Sequence, residues 1–245
     1  MAEQISIAEW LCVNEFDVSG VSSNFGLERT ADLEEFTCFA PPSDTAPTAI
    51  FKKRLAGVES CKVSNAGYLD MGINLPAAKA ALGTSPIISK GDNRTLGSGV
   101  YMFVGKESSF SDGGEVGKVI PFSMELLSDG IVTYGSLFEF GSKTATGNGT
   151  SRTMPAVIAG KSLYLHAHVI SVSGTSTPTL TLIYETSAIG DYSDAITKHT
   201  FTDFTAAGVQ RAIKTPAISD LNHRFRWVIS GTNPIFVVRL VAGVR

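Results

Sequence analysis

Residues 119–140 read Val-Ile-Pro-Phe-Ser-Met-Glu-Leu-Leu-Ser-Asp-Gly-Ile-Val-Thr-Tyr-Gly-Ser-Leu-Phe-Glu-Phe, and their pattern decides the fold class. From Phe122 to Leu126 apolar and polar residues alternate with period two, the signature of a half-buried strand. Asp129-Gly130 follows, the dipeptide best suited to a tight turn between antiparallel strands. Beyond it Val132, Tyr134, Phe138 and Phe140 are expected on one face of a second strand, with Thr133 and Glu139 on the other. The stretch therefore predicts a β-hairpin over 119–140.

Strand signals continue on the C-terminal side. Lys143–Ser151 has no large apolar residue and two glycines, so it is expected to be a long loop or a domain boundary. Leu163–Val172 is apolar on both faces, which predicts a covered, central strand. Ser173-Gly174-Thr175-Ser176-Thr177-Pro178 reads as a turn, after which Leu180, Leu182 and Tyr184 alternate with Thr181 and Glu185. Near the end Phe225, Trp227 and Ile229 alternate with Arg224, Arg226 and Val228. Ser230-Gly231-Thr232-Asn233-Pro234 then reads as a second turn, and Phe236, Val238 and Leu240 continue the inward face. The two Ser-Gly-Thr turns echo each other and suggest a repeated hairpin, glycine supplying the positive φ and proline marking a position outside a central ladder. Trp227 reads as core. One short helix is expected near Asn74–Leu82, with Asn74 as its cap, Pro76 in the first turn and Gly83 at its end. Propensity also allows a helix over residues 30–36.

The composition sets bounds. The 245 residues suffice for one large β domain or two smaller ones. Only 18% are charged, as expected of a surface partly covered by other copies. The formal net charge of −3 gives no basic excess for gripping nucleic acid. Charge is unevenly divided: residues 1–125 hold 16 Asp/Glu against 10 Lys/Arg (−6), and residues 126–245 hold 7 against 10 (+3). Such a dipolar chain suits head-to-tail stacking. Cys12, Cys38 and Cys61 are odd in number and widely spaced, so free buried thiols are expected, with neither a disulfide framework nor a zinc site. The polar, acidic start Met1-Ala2-Glu3-Gln4 shows no secretory leader, and no run approaches the ~20 apolar residues of a membrane helix.

The sequence offers little for catalysis. Nucleophile-elbow, phosphate-loop, dinucleotide and zinc-protease motifs are all missing from the sequence. His166 and His168 at i and i+2 on a strand share a face and have the spacing of a metal chelate. No carboxylate or cysteine lies near them in sequence, so a surface or interface pair of polar residues is expected. Glu34 and Glu35 would point to opposite faces of a strand, against an acid/base pair. Lys52-Lys53-Arg54 is the one basic cluster, expected at a turn or an intersubunit contact. No enzyme activity, cofactor or metal site is expected.

Some segments resemble a known family. Phe16-Asp17-Val18-Ser19-Gly20, then Asn24-Phe25-Gly26-Leu27-Glu28, resemble the opening of tail tube proteins of long, non-contractile-tailed bacteriophages (siphophages). Asp32-Leu33-Glu34-Glu35-Phe36-Thr37-Cys38-Phe39 resembles the acidic strand that follows, Leu55-Ala56-Gly57-Val58 and Ser64–Gly67 the next segment, and Asp112-Gly113-Gly114-Glu115 a late turn. The Ser-Gly-Thr turns and Arg226-Trp227 resemble the second half of longer members. Departures are the Pro41-Pro42 loop and Cys38. The resemblance implies a strand over 30–36, where propensity allows a helix.

It further implies a mainly β fold: a tail-tube-type β-sandwich or barrel with a short helix over residues 1–145, and a second β-sandwich-like domain over 146–245. Subunits would polymerise into stacked rings, hexameric or trimeric and pseudo-hexameric, that form the conduit for DNA ejection. The chain would reside in the virion tail, assembled in the host cytoplasm. Its partners would be itself and the tail terminator, tape measure and distal tail proteins, with genomic DNA passing through an acidic lumen unbound. Asp32, Glu34, Glu35, Thr37, Lys52, Lys53 and Arg54 are the candidate intersubunit or lumen segment. The alternatives are a capsid decoration or tail terminator protein, and a carbohydrate-binding β-sandwich.

Overall fold

Alternating apolar residues in the sequence become strands almost everywhere in the computed structural model, which describes residues 9–39, 50–115 and 118–245. The strands are β1 (Trp10–Val13), β2 (Phe16–Asp17), β3 (Ser22–Phe39), β4 (Ile50–Tyr68), β5 (Ile87–Gly91), β6 (Gly99–Asp112), β7 (Pro121–Ser128), β8 (Thr133–Lys143), β9 (Gly147–Asn148), β10 (Arg152–Thr153), β11 (Leu163–Ser187), β12 (Ile196–Thr200), β13 (Gly208–Lys214) and β14 (Asn222–Val244), with one α-helix, α1 (Asn74–Ala81). The mainly β class and the short helix are as expected, and every pairing is antiparallel. The Pro41-Pro42 loop and Met1–Gln4 lie outside the described residues.

The strands form one connected system with two parts. A wing of four strands has the order β3-β4-β7-β6. The first half of β6 leaves the wing and pairs β5 and β8, and β8 passes the sheet on to β14 and β11. β6 thus serves two sheets, changing partner between Met102 and Gly105. Gly105 sits at the crossing, where a Cβ would lie 2.9 Å from the Leu127 carbonyl oxygen.

This crossing corrects the hairpin expected over 119–140. Both strands form, as β7 and β8, but they do not pair with each other. β7 joins β4 and the distal half of β6, whereas β8 joins the proximal half of β6 and β14. Asp129-Gly130, with Gly130 at φ +97°, therefore carries the chain from one sheet to the other. The hairpin partner of β7 is β6, joined through residues 113–120. The expected faces of β8 are also corrected: Thr133 is buried and Tyr134 exposed. Leu137 and Phe138, successive residues on opposite faces of the strand, enter two different cores, and the strand bulges here opposite Leu240/Val241.

The Ser-Gly-Thr echo has a different origin from the one expected. β11 and β14 pair along their whole lengths, from Leu163↔Val244 to Ser187↔Asn222, with one register shift between Val169 and Ser171 and the others at the two Ser-Gly-Thr segments, which face each other as Thr175↔Thr232 and Thr179↔Ser230. Neither segment is a hairpin turn. Together they bend a long two-stranded ribbon so that its two arms share one core: Leu165 and Val169 from the first arm, Leu180 and Leu182 from the second, and Phe225, Trp227, Phe236 and Leu240 from β14. Strands that change sheet at a bulge make the corner of a sandwich. Gly174 (φ +130°) and Gly231 (φ +104°) occupy the bend, each within 3 Å of the opposing strand at its would-be Cβ, so a side chain has neither the dihedral nor the room. Each large apolar side chain buried here contributes about 1.5–3 kcal/mol.

A second core lies beneath the wing, where Leu11, Val63, Ile88, Phe103 and Met124 meet Ala77, Ala78 and Ala81 of α1. α1 starts at Asn74 with Ile73 in the cap position and no side-chain cap bond, so Asn74 is not its cap, but Gly83 does follow it at φ +70°. A third core joins the two parts through Trp10, Met102, Leu137, Tyr164 and Val241. The expected loop 143–151 is strapped to β14 through β9 (Trp227↔Gly147) and by Trp227 Nε1 donating to the Ala145 carbonyl at 2.9 Å. Trp227 is core, as expected.

Candidate assembly surface

β3 and β4, 18 and 19 residues long, make a ribbon of about 60 Å at ~3.4 Å per residue. Residues 30–36 are strand, so the expectation from the resemblance holds over local helix propensity, because β4 pairs with all of them except Asp32. β7 supports β4 only from Lys62 to Tyr68. From Ser60 outward to Ile50, β4 has only β3 beside it, and β3 has β4 as its one partner among the described residues.

The ribbon leaves the body at an ionic anchor. Glu59 receives Arg29 from across the ribbon and Arg245 from the chain's last residue, the latter at 2.7 Å. Arg245 also donates to the Val132 carbonyl, and Thr30 and Ser60 hydroxyls bond across the strands at 2.6 Å. Just beyond the anchor the register breaks between Ala31 and Leu33. Asp32 sits at this bulge, where ribbons bend and twist.

The remaining candidate residues fall together on the outer half. Glu35 is paired with Arg54, Thr37 with Lys52, Phe36 with Lys53, and Glu34 with Leu55. The acidic segment and the basic cluster, well apart in sequence, are thus opposite each other on one ribbon, with an anion and a cation at directly opposed positions.

The wing has two open edges. One is the outer side of β3. The other is β6 from Lys106 to Asp112, which pairs only with β7 among the described residues. Open edges invite pairing with another chain.

The remaining sequence candidates are structural. Asp17 of the Phe16–Gly20 motif accepts from the Ser19 backbone at 3.1 Å and meets Arg239 of β14 at 2.9 Å, and Arg239 also lies 3.5 Å over the Phe140 ring. His166 and His168 share a face, as expected, but are fully buried between β11 and β5, which corrects the surface or interface expectation. Ser89 Oγ lies 3.1 Å from His166 Nδ1 and 2.8 Å from His168 Nε2, and His168 Nδ1 bonds the Asn14 carbonyl. With that carbonyl as acceptor, Nδ1 of His168 carries the proton and Nε2 accepts from Ser89. Burial, partly opposed by the Asn14 carbonyl, holds His168 down at about 4, and burial also depresses His166. No group of three His, Cys, Asp or Glu side chains suited to a metal ion occurs among the described residues. Cys12 and Cys61 are buried free thiols, as expected; burial raises both, Cys61 to about 11.

No family model matches the sequence, and no curated protein matches it. Among solved structures, the chain is similar to one in the virion of a native gene transfer agent particle, at 13% identity and a TM-score of 0.40, over 54% of this chain and 98% of that one. It is similar to one in the tail of an empty gene transfer agent particle with C6 symmetry, at 14% and 0.41, over 54% and 98%. It is also similar to the Dit protein of phage SPP1, described as a paradigm of the hub adsorption apparatus in phages that infect Gram-positive bacteria, at 8% and 0.34, over 97% and 99%. All three TM-scores lie below 0.5, so the functional reading rests on the chain's own sequence and geometry.

Proposed function

We propose that this chain is a virion structural protein that polymerises into stacked rings forming a phage tail tube. The observation that carries the reading is the wing with two open edges and a long, unsupported ribbon. A two-stranded ribbon is marginally stable in water by itself, and exposed edges are a liability unless another strand covers them. Pairing β3 of one copy with the Lys106–Asp112 edge of the next would close both at once, making a continuous barrel around a lumen. The distal ribbon would then reach a copy in the adjoining ring, a heterologous contact that propagates into a filament. The sequence resemblance to tail tube proteins, carried by Asp17, Ser19, Gly20 and the Asp32–Phe39 strand, supports the same reading.

Six copies per ring suit this fold better than three. The second half is a bent ribbon closed around its own core, and it does not repeat the β3-β4-β7-β6 order of the wing. Residues 1–145 would form the tube and 146–245 a sandwich beside it, tied to the wing through β8 and β14. The tail terminator, tape measure and distal tail proteins would be its neighbours, and DNA would pass through the lumen without specific binding. The chain would act by assembly alone, in the virion tail, after assembly in the host cytoplasm.

Replacing residues 33–56 with a short turn tests this reading. The truncated protein should keep its three internal cores and lose the ability to stack, giving isolated rings or monomers by electron microscopy where the intact chain gives tubules. Tubules from the truncated protein would refute the role assigned to the ribbon.

A further inference from the structure

Beside the free edge of β6 runs a groove of about 500 Å³, walled by Leu75 and Lys79 of α1 and Leu82 just past its end on one side and by Glu107, Phe110 and Asp112 of β6 on the other. Three features distinguish it from an ordinary surface crease. Its apolar walls face solvent: Leu82 is 69% exposed, although a helix this close to a sheet normally packs such a side chain away. Its acidic wall is unpaired: neither Glu107 nor Asp112 has an ion-pair partner among the described residues, and Glu107 Oε2 is shielded from solvent with no hydrogen-bond donor. Burial raises the Glu107 carboxyl above its ordinary range, as expected where no cation offsets desolvation. Finally, β6 bulges at Ser108, between Glu107 and Ser109, which sets Glu107 out of step with the residues beyond it.

Such a groove suits a strand carrying cations between apolar residues. The chain contains one, at the distal end of β4: Phe51-Lys52-Lys53-Arg54-Leu55. In the ribbon's register Arg54 is opposite Glu35, and Lys52 and Lys53 are opposite Thr37 and Phe36, so the segment carries three cations against one acidic position.

We infer that the groove between α1 and β6 receives the Lys52–Arg54 segment of a second copy, its cations meeting Glu107 and Asp112. This rests on the assembly reading above and deepens it by naming the socket. Edge pairing through the proximal part of β3 and socket docking through the distal ribbon use different stretches of the hairpin, so one copy makes them with different neighbours. Removing two buried or half-buried charges from water is costly unless they are paired, so the pairing acts mainly as a selector of partner and register.

Charge reversal in mixed assemblies tests it. One variant carries Glu107→Lys and Asp112→Lys, and the other carries Lys52→Glu, Lys53→Glu and Arg54→Glu. Each alone juxtaposes like charges at the socket, and pelletable assembly is expected to fall at least about tenfold, the ratio that corresponds to ~1.4 kcal/mol per contact. Mixed one to one, each variant's ribbon finds a complementary socket on the other, and assembly is expected to return. A misfolded variant would not be rescued by mixing, and circular dichroism of each alone checks the strand content. A photo-crosslinker placed at Leu82 should link, in wild-type assemblies, to a peptide containing residues 50–55 of another copy. Assemblies whose crosslinks fall elsewhere, or variants that assemble normally alone, overturn the socket and leave the assembly reading standing. A wild-type chain that forms no assemblies overturns both.

Discussion

Acidification from about pH 7 to about pH 5 should weaken the fold through the buried histidine at the junction of β5 and β11. His168 has no exposed surface, and burial, against the lesser pull of the Asn14 carbonyl, moves it from 6.5 to about 4. An unfolded chain takes up the proton as the pH falls through 6.5, while the folded chain resists until about 4. The unfolded state therefore binds more protons in that window, and stability rises with pH across it. The contribution of His168 is complete above about pH 6.5 and lost progressively as the pH falls towards 4. A separation of ~2.5 units at ~1.36 kcal/mol each sets a limit of ~3.4 kcal/mol, of which linkage assigns ~1.8 kcal/mol to the interval between pH 7 and pH 5. His168→Asn keeps a donor for the Asn14 carbonyl and cannot titrate. Urea unfolding followed by tryptophan fluorescence, at both pH values, should show the variant less stable at pH 7 but losing ~1.8 kcal/mol less than wild type on acidification. His166 and His223, also depressed by burial, remain in both proteins and largely cancel from the difference. Equal losses in the two proteins would refute the reasoning.

Further outcomes follow from the cores and the bend. Phe225→Ala removes a fully buried ring that meets Phe138 and Tyr184 at 5.6 and 5.0 Å, and should cost about 3–5 kcal/mol, read as a lower urea midpoint. Arg239→Ala strands Asp17 in a site where the two side chains are 10% and 14% exposed; a loss of about 3–5 kcal/mol is expected, with part of it recovered when Asp17→Asn is added. Gly231→Ala places a Cβ 2.9 Å from Pro178 Cα at φ +104° and should cost more than ~1 kcal/mol, whereas Gly190→Ala, with nothing within 4 Å, should be nearly neutral; thermal unfolding of the two variants separates them.

The sequence carried the existence of strands better than their partners. Period-two alternation located β7, β8 and both arms of β14 because each has a buried face. The turn signals misled in two ways. Asp129-Gly130 has the chemistry of a tight hairpin, yet the places beside β7 are taken by the distal half of β6, which precedes it, and by β4, which is distant in sequence, and nothing in the Asp129-Gly130 turn announces that exchange. The two Ser-Gly-Thr segments were visible as glycine-containing interruptions, but a bend in a long strand and a reversal between short ones demand the same residues. Residues 30–36 show the opposite case, where local helix propensity yields to a partner strand, and the resemblance supplied what propensity lacked. For the candidate site, the sequence offered the acidic segment and the basic cluster separately, and only the β3–β4 register sets Glu35 against Arg54. The socket residues Glu107 and Phe110 carried no signal, since their meaning depends on α1 packing beside them. The histidine pair was found by its i, i+2 spacing, and its burial followed from β5 covering that face.

Electron cryomicroscopy of the purified protein at high concentration tests the central claim most directly. Stacked rings are predicted in which β3 of each copy is hydrogen-bonded to the Lys106–Asp112 edge of its neighbour, leaving no free edge on the wing. A monodisperse single chain with both edges of the wing open to solvent would contradict it.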